Sequence, residues 1–265
     1  MAGPELARRP TALVTGAGGG LGGAIAVALA RKGYDLVLND LAQSDALRSV
    51  VGEVQALGAK AYVLLQDIAL VEDLPDFSTR AQAVFGRLDC LVNNAGVSVM
   101  SRGDILDVSP ESFDRCHGVN LRAQFFLTQT VARLMVAANE ADGTAGRKAI
   151  ITVTSVAVDE IIGKVLAEYS ISKAGLSHMI KHFAVRLAPL GIECYELRPG
   201  MMKTGMTSTT RDKYDALIAS GFVPAGRWGE LEEVGETAAN LASGALRYAL
   251  GQVVSVDGGM RLKVF

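Results

Sequence analysis

The stretch TALVTGAGGGLGGAIAVALA, residues 11–30, reads as a short apolar strand, a glycine turn and a helix. Its first five residues suit a strand buried on both faces, and apolar residues recur at helical spacing beyond Gly22. The turn between them, Thr15-Gly16-Ala17-Gly18-Gly19-Gly20-Leu21-Gly22, sits where a dinucleotide site requires it. Glycines there let the backbone approach a pyrophosphate, and the N–H groups and dipole of the following helix favour its charge. A glycine-rich turn can also close on itself without a ligand, so the motif counts only in its strand–turn–helix setting.

Working outward, six more β-rich runs follow: DLVLND (35–40), AYVLLQD (61–67), LDCLVNN (88–94), KAIITVTS (148–155), IECYELRP (192–199) and QVVSVD (252–257). Stretches with helical periodicity separate most of them, at Gly22–Lys32, Ser44–Leu57, Leu74–Phe85, Pro110–Ala138, Ala167–Leu187 and Leu231–Ala242. Ser109-Pro110-Glu111 marks the start of the fourth helix as an N-cap, an N1 proline and a first-turn acid. This alternation predicts an α/β fold with a Rossmann-type, doubly wound, seven-stranded parallel sheet. One domain covers residues 1–265, with 1–10 as an N-terminal extension, NEADGTAGRK (139–148) as a surface loop and 204–229 as a lid over the substrate.

Composition narrows the function. The 265 residues are 49% hydrophobic with a formal net charge of −2, enough for a large core and without the basic excess of a nucleic-acid binder. No run of apolar residues is long enough to span a membrane. Cys90, Cys116 and Cys194 are an odd, scattered set, which fits a reducing cytoplasm better than a disulfide framework. His117, His178 and His182 lack metal spacing, and no metal is expected. The partner implied is a small molecule.

Asp40 ends the second strand about 20 residues past the glycines, where a carboxylate accepts hydrogen bonds from the adenosine ribose. That favours NAD over NADP, whose extra phosphate Asp40 would repel; a turn aspartate is the alternative. On a helix, Tyr169 and Lys173 share one face four residues apart. Lowering a phenol from its usual pKa to about 7 needs roughly 4 kcal/mol. An ammonium at about 4 Å in an effective dielectric of about 20 supplies that much.

The order TGxxxGxG (Thr15, Gly16, Gly20, Gly22), NNAG (Asn93–Gly96), Ser155, and YxxxK (Tyr169, Lys173) resembles the classical short-chain dehydrogenase/reductase family over nearly the whole chain. The resemblance implies a hydride-transferring oxidoreductase with Asn120, Ser155, Tyr169 and Lys173 as its catalytic residues. Tyr169 is then the acid/base, Ser155 orients the substrate oxygen, Lys173 acts on the phenol and cofactor ribose, and Asn120 holds a water in a proton relay. It also implies cofactor contacts from Gly16, Gly19, Gly20, Leu21, Asp40, Asp67, Ile68, Asn94, Ala95, Gly96, Tyr169, Lys173, Pro199, Gly200, Met202 and Thr204. Asp67 reads equally well as a strand-end cap. Ser155 lies fourteen residues before Tyr169, one more than most members have, with the extra residue in the loop VAVDEIIGKVLAE (156–168).

NADPH-using members often carry a basic residue where this chain has Gly19, so NAD is the expected cofactor and Gly19→Arg with Asp40→Ser the expected route to NADP. An arginine such as Arg48 swinging toward the phosphate is the alternative. Met201, Met202, Met206, Val97, Val99, Val156 and Ile162 are expected to line a mainly apolar pocket, with Arg102 or Glu160 as polar contacts. The leading function is hydride exchange between NAD(H) and a secondary alcohol or ketone. The resemblance extends to a bacterial subgroup labelled 3-oxoacyl-acyl-carrier-protein reductase, so an NADPH-dependent reductase of that kind is the alternative. A non-catalytic nucleotide-binding protein is a third reading, disfavoured by the intact Asn120, Ser155, Tyr169 and Lys173. A homotetramer, built through the long helices and the C-terminal strand, is expected by the same resemblance.

Overall fold

The computed structural model describes residues 9–142, 147–161, 165–205, 207 and 211–262. Seven strands form one parallel sheet: β1 (Thr11–Thr15), β2 (Asp35–Asp40), β3 (Ala61–Leu65), β4 (Cys90–Asn93), β5 (Lys148–Val153), β6 (Ile192–Pro199) and β7 (Val253–Val256). Their spatial order is β3-β2-β1-β4-β5-β6-β7. The order reverses between β1 and β4, where Leu13 pairs with Leu91, so a crevice opens at the carboxyl ends of those two strands. The central strands are buried along their length, which is why their sequences run apolar instead of alternating.

Helices cover both faces. On one side α1 (Gly20–Arg31), α2 (Asp45–Ala56) and α8 (Leu231–Ser243) pack over Val14, Leu36, Leu38, Ile151 and Leu197. On the other, α3 (Leu74–Phe85), α5 (Gln124–Asp142) and α6 (Ala167–Leu187) cover Leu13, Val37, Leu91 and Ile150. A smaller cluster joins Tyr214 and Ile218 of α7 (Arg211–Ala219) to Val156, Val223, Trp228 and Met260 beside the carboxyl edge.

Helix starts follow their capping chemistry. Ser44 Oγ accepts the Leu47 N–H ahead of α2, and Ser109 Oγ accepts that of Ser112 ahead of α4 (Pro110–His117). Glu230 and Glu233 close a capping box at α8. Helix α1 differs: its N-cap is Gly19, no side chain caps it, and its first turn holds no acid.

Two expectations need correction. Helix α1 starts at Gly20, two residues before the predicted start, because the glycines already adopt the turn that leads into it. The predicted helix over Pro110–Ala138 is interrupted by a π turn, Gly118–Ala123, and then continues to Asp142, into what was expected to be loop. The wider turn carries Asn120 into the interior, where its Oδ1 accepts the Val97 N–H at 2.8 Å and its Nδ2 donates to Val97 O and Ser172 Oγ, each at 3.0 Å.

Candidate active site

The glycine turn after β1 and the Asn93–Gly96 segment after β4 are bound together across the crevice. Thr15 Oγ1 accepts the N–H groups of Asn94 and Ala95, each at 3.1 Å. Asn94 Nδ2 donates to Thr15 O at 2.9 Å and Gly16 O at 3.1 Å. Close approach makes Gly22 obligatory, since a Cβ there would lie 2.1 Å from Gly16 O. Gly16 and Gly20 have φ of +63° and +55°, and a Cβ on Gly20 would meet nothing, pointing instead into open space.

That space is a groove of about 290 Å³ lined by Gly16, Gly20, Asn94, Gly96, Tyr169 and Thr204, among others. At its glycine end the α1 N-terminus, which no side chain caps among the described residues, offers its first N–H groups, the arrangement a diphosphate would complete. Asp40 stands beside the turn, its Oδ2 accepting the Gly18 N–H and its Oδ1 that of Leu41, each at 2.7 Å. Arg48, the alternative cation, is paired with Asp45 on the exposed side of α2. Gly19 has φ +130° and ψ −172°, a region essentially reserved for glycine, so the anticipated Gly19→Arg change would strain the backbone.

Asp67 is exposed, and its Oδ1 caps the Ala69 N–H at 2.9 Å, which is the strand-end role. Ile68 beside it is buried. Neither residue lines the groove. Pro199 ends β6 and Gly200 follows it, packed against Asp257, whose Cα a Cβ would approach to 2.7 Å.

A second cavity, of about 140 Å³, shares Leu21, Thr154, Tyr169 and Thr204 with the groove. Ser155, Val156, Met201, Met202 and Arg102 line it as anticipated, whereas Val97, Val99 and Glu160 do not. Ile162 and Met206 lie outside the described residues. Sequence reasoning missed Ser98, Thr154, Leu166, Tyr214 and Met260. Of these only Thr154, adjoining Ser155 at a strand end, carried a usable signal.

Tyr169 forms the wall common to both cavities, and Ser155 lines the smaller one with it, near enough to favour its phenolate. The spacing of fourteen therefore still brings the pair together. Lys173, one helical turn on, is buried, donates from Nζ to Val153 O at 3.0 Å and lies 5.9 Å from the centroid of the Tyr169 ring. Burial lowers the lysine pKa to about 8, opposed by the Glu196 carboxylate. The phenol departs from expectation. Burial raises its pKa above the ordinary value and outweighs the effect of the Ser155 hydroxyl, with Cys116 and Tyr214 adding to the rise. A Cβ on Gly96 would lie 3.2 Å from Asn120 Oδ1 and 3.6 Å from Lys173 Nζ, so Asn120, Gly96 and Lys173 meet at one point.

Residues 16–261 match the family model described as enoyl-(acyl carrier protein) reductase. The chain is 31% identical over 257 residues to L-rhamnose 1-dehydrogenase (NAD(P)(+)) of a Sphingomonas species, covering 97% of this chain and 98% of the relative. It belongs to the short-chain dehydrogenase/reductase family. As a member of that family it is an NAD(P)-dependent oxidoreductase. A 3-oxoacyl-[acyl-carrier-protein] reductase of Synechocystis is 35% identical, with 94% of this chain and 96% of the relative aligned. Among solved structures, 3-oxoacyl-[acyl-carrier protein] reductase from Brucella melitensis in complex with NAD superposes with a TM-score of 0.91 at 40% identity, covering 97% of this chain and 99% of the other. The short-chain dehydrogenase/reductase motifs are thus found in the fold that the family shares.

Proposed function

We propose that the chain interconverts a secondary alcohol and a ketone with NAD(H), using Tyr169 as acid/base. One observation carries this: the glycine-lined groove and the apolar cavity meet on Tyr169, with Ser155 in the wall of the same cavity. The residues fit a dinucleotide. The uncapped α1 N-terminus, with Gly16, Gly19, Gly20 and Leu21, would hold the diphosphate. Asp40 would take the adenosine ribose, with Asp67 and Ile68 farther along toward the adenine. Asn94, Ala95, Gly96 and Lys173 would hold the nicotinamide ribose, and Pro199, Gly200, Met202 and Thr204 the carboxamide. When bound, the nicotinamide supplies or accepts the hydride.

In the reducing direction Tyr169 Oη gives its proton to the carbonyl oxygen as the alcohol forms. A phenol whose pKa is raised keeps that proton at neutral pH and, as a weaker acid, releases it only to the strongly basic oxygen that develops as the alcohol forms. In the oxidising direction it must lose the proton first, with help from the Lys173 ammonium once substrate and cofactor exclude water. Ser155 Oγ, anchored by the Ala157 N–H at 3.1 Å, orients the substrate oxygen. Asn120 serves the relay by holding the π turn open beside Lys173, since its own side chain is engaged by Val97 and Ser172.

The preference for NAD rests on Asp40 beside the turn, on Gly19 with no side chain to pair a phosphate, and on Arg48 held by Asp45. Tyr214, Thr204 and Thr207 wall the cavity, which supports residues 204–229 as the substrate cover. Exposed apolar residues on the helical face (Phe113, Phe125, Phe126, Ile171) and near β7 (Val253, Leu262) offer surfaces that further copies would cover in the homotetramer proposed here, and the scattered cysteines fit the cytoplasm. Among the described residues no helix is long and apolar enough to cross a membrane. Sedimentation showing only monomer at micromolar concentration would contradict the assembly. The function is tested by a panel of sugars, polyols, cyclic alcohols and acyl thioesters, following reduced nicotinamide by absorbance. Turnover with NAD(H) is expected, and cofactor binding without turnover across the panel would overturn the proposal.

A further inference from the structure

Behind the catalytic strand ends lies a buried ionic network that the motifs do not include. Glu196 on β6 is fully buried and accepts four hydrogen bonds. Its Oε1 takes Thr154 Oγ1 at 2.6 Å and Arg198 through Nε at 2.8 Å and Nη2 at 2.6 Å, while its Oε2 takes Ser177 Oγ at 2.7 Å. The Arg198 side chain is 5% exposed and pairs through Nη1 with Asp159. Asp159 also accepts Arg261 Nη1 at 2.7 Å, and Arg261 Nε donates to Asp257 at 2.9 Å. Charges therefore alternate from Glu196 beneath the site to Asp257 at the end of β7.

The two ends that matter are Thr154 and Asp159, because Ser155 lies between them. Thr154 lines both cavities and is tied to Glu196; Asp159 follows the short helical turn Val156–Val158, which Ser155 itself caps. The backbone that carries Ser155 is thus gripped on both sides by one Glu–Arg pair. Stability alone does not explain such a pair. Removing two charges from water costs several kcal/mol per ion, and apolar residues of similar volume often stabilise as well or better.

We propose that Glu196 and Arg198 are positioning residues for the reaction, holding Ser155 against Tyr169 by fixing Thr154 on one side and Asp159 on the other. Neither lines the cavities; both act through Ser155, apart from the charge Glu196 exerts on Lys173, which Asp159→Asn leaves in place. The proposal rests on the assignment of Ser155 and Tyr169 above.

Asp159→Asn is the primary test, since the Asp159 side chain is 47% exposed and its change leaves no charge stranded in the core. Expected are unchanged NADH affinity, a thermal midpoint close to the unmodified protein, and a fall in kcat of about 10- to 100-fold, the scale that a displacement of about 1 Å produces. A double-mutant cycle with Ser155→Ala isolates the route: the two losses should fail to add, because Asp159 has nothing left to position once the hydroxyl is gone. The paired change Glu196→Leu with Arg198→Met keeps the interior neutral and should retain the fold while losing kcat similarly. Full activity in Asp159→Asn overturns the proposal. So do additive losses in the cycle, or a joint loss of fold, cofactor affinity and turnover, which marks a merely structural network. If Tyr169→Phe stays active, the site assignment fails instead, so the two failures are distinguishable.

Discussion

The cofactor groove and the substrate cavity share Tyr169 yet are made of different material. The groove is mostly backbone: three glycines with positive φ, an uncapped helix start, and the Asn94 strap that holds the two turns at fixed distance. The cavity is mostly side chain: Val156, Met201, Met202, Tyr214 and Met260 drawn from four separate segments. Backbone geometry tolerates almost no change where atoms already touch, whereas a wall of side chains can be repacked. The groove should therefore fail abruptly and the cavity gradually.

The sharpest break in that contrast is Gly22→Ala. A new methyl 2.1 Å from Gly16 O cannot be accommodated by a side-chain shift, so NADH binding should be lost, with destabilisation of about 1–3 kcal/mol. Gly52→Ala in α2 is its control: a Cβ there meets nothing, and stability should rise by up to about 1 kcal/mol. Calorimetry and fluorescence titration of both variants measure the difference.

Asp40→Ser is expected to erode an NAD preference of about 10²-fold in kcat/KM by at least tenfold. Adding Gly19→Arg should cost about 1–3 kcal/mol through its φ of +130°, so the single change is the better switch. Steady-state kinetics with both cofactors and thermal melts check the pair.

Lys173 gives the groove a pH dependence. Its ammonium persists below a pKa of about 8 and is lost as pH rises through it, so NADH affinity should fall above about pH 8. Because the folded pKa lies below the ordinary value of 10.5, the folded protein binds fewer protons between the two values, and this group adds stability as pH rises across that window. Titrations from pH 6 to 10 should show the affinity loss, and Lys173→Met should remove its dependence on pH.

The smallest effects belong to the cavity. Met201→Ala or Tyr214→Ala should change KM by a few-fold, on the order of 10-fold at most, with NADH affinity intact. A loss of cofactor binding in either variant would erase the distinction between the two regions.

The same contrast explains what could be read from sequence. Strand ends and glycine turns are local, so the groove from Thr15 to Gly22, Asp40, and the Tyr169–Lys173 pair were legible. The fold followed from strand periodicity. The π turn was not, because helical spacing on either side of Gly118–Ala123 hides one extra residue. Nor were Tyr214, Met260 and the Glu196–Arg198 pair, whose roles depend on which distant segments fold beside them. The raised pKa of the Tyr169 phenol was not legible for a related reason: burial is a property of the packed site.

The central claim is that groove and cavity meet at a single proton-transferring group. Tyr169→Phe tests it most directly, with NADH affinity and turnover measured on one preparation. Affinity should stay near that of the unmodified protein while kcat falls by about 10²–10⁴-fold, the usual contribution of acid/base catalysis. Retention of more than about a tenth of the turnover, on that same scale, would show that another group moves the proton and would contradict the account.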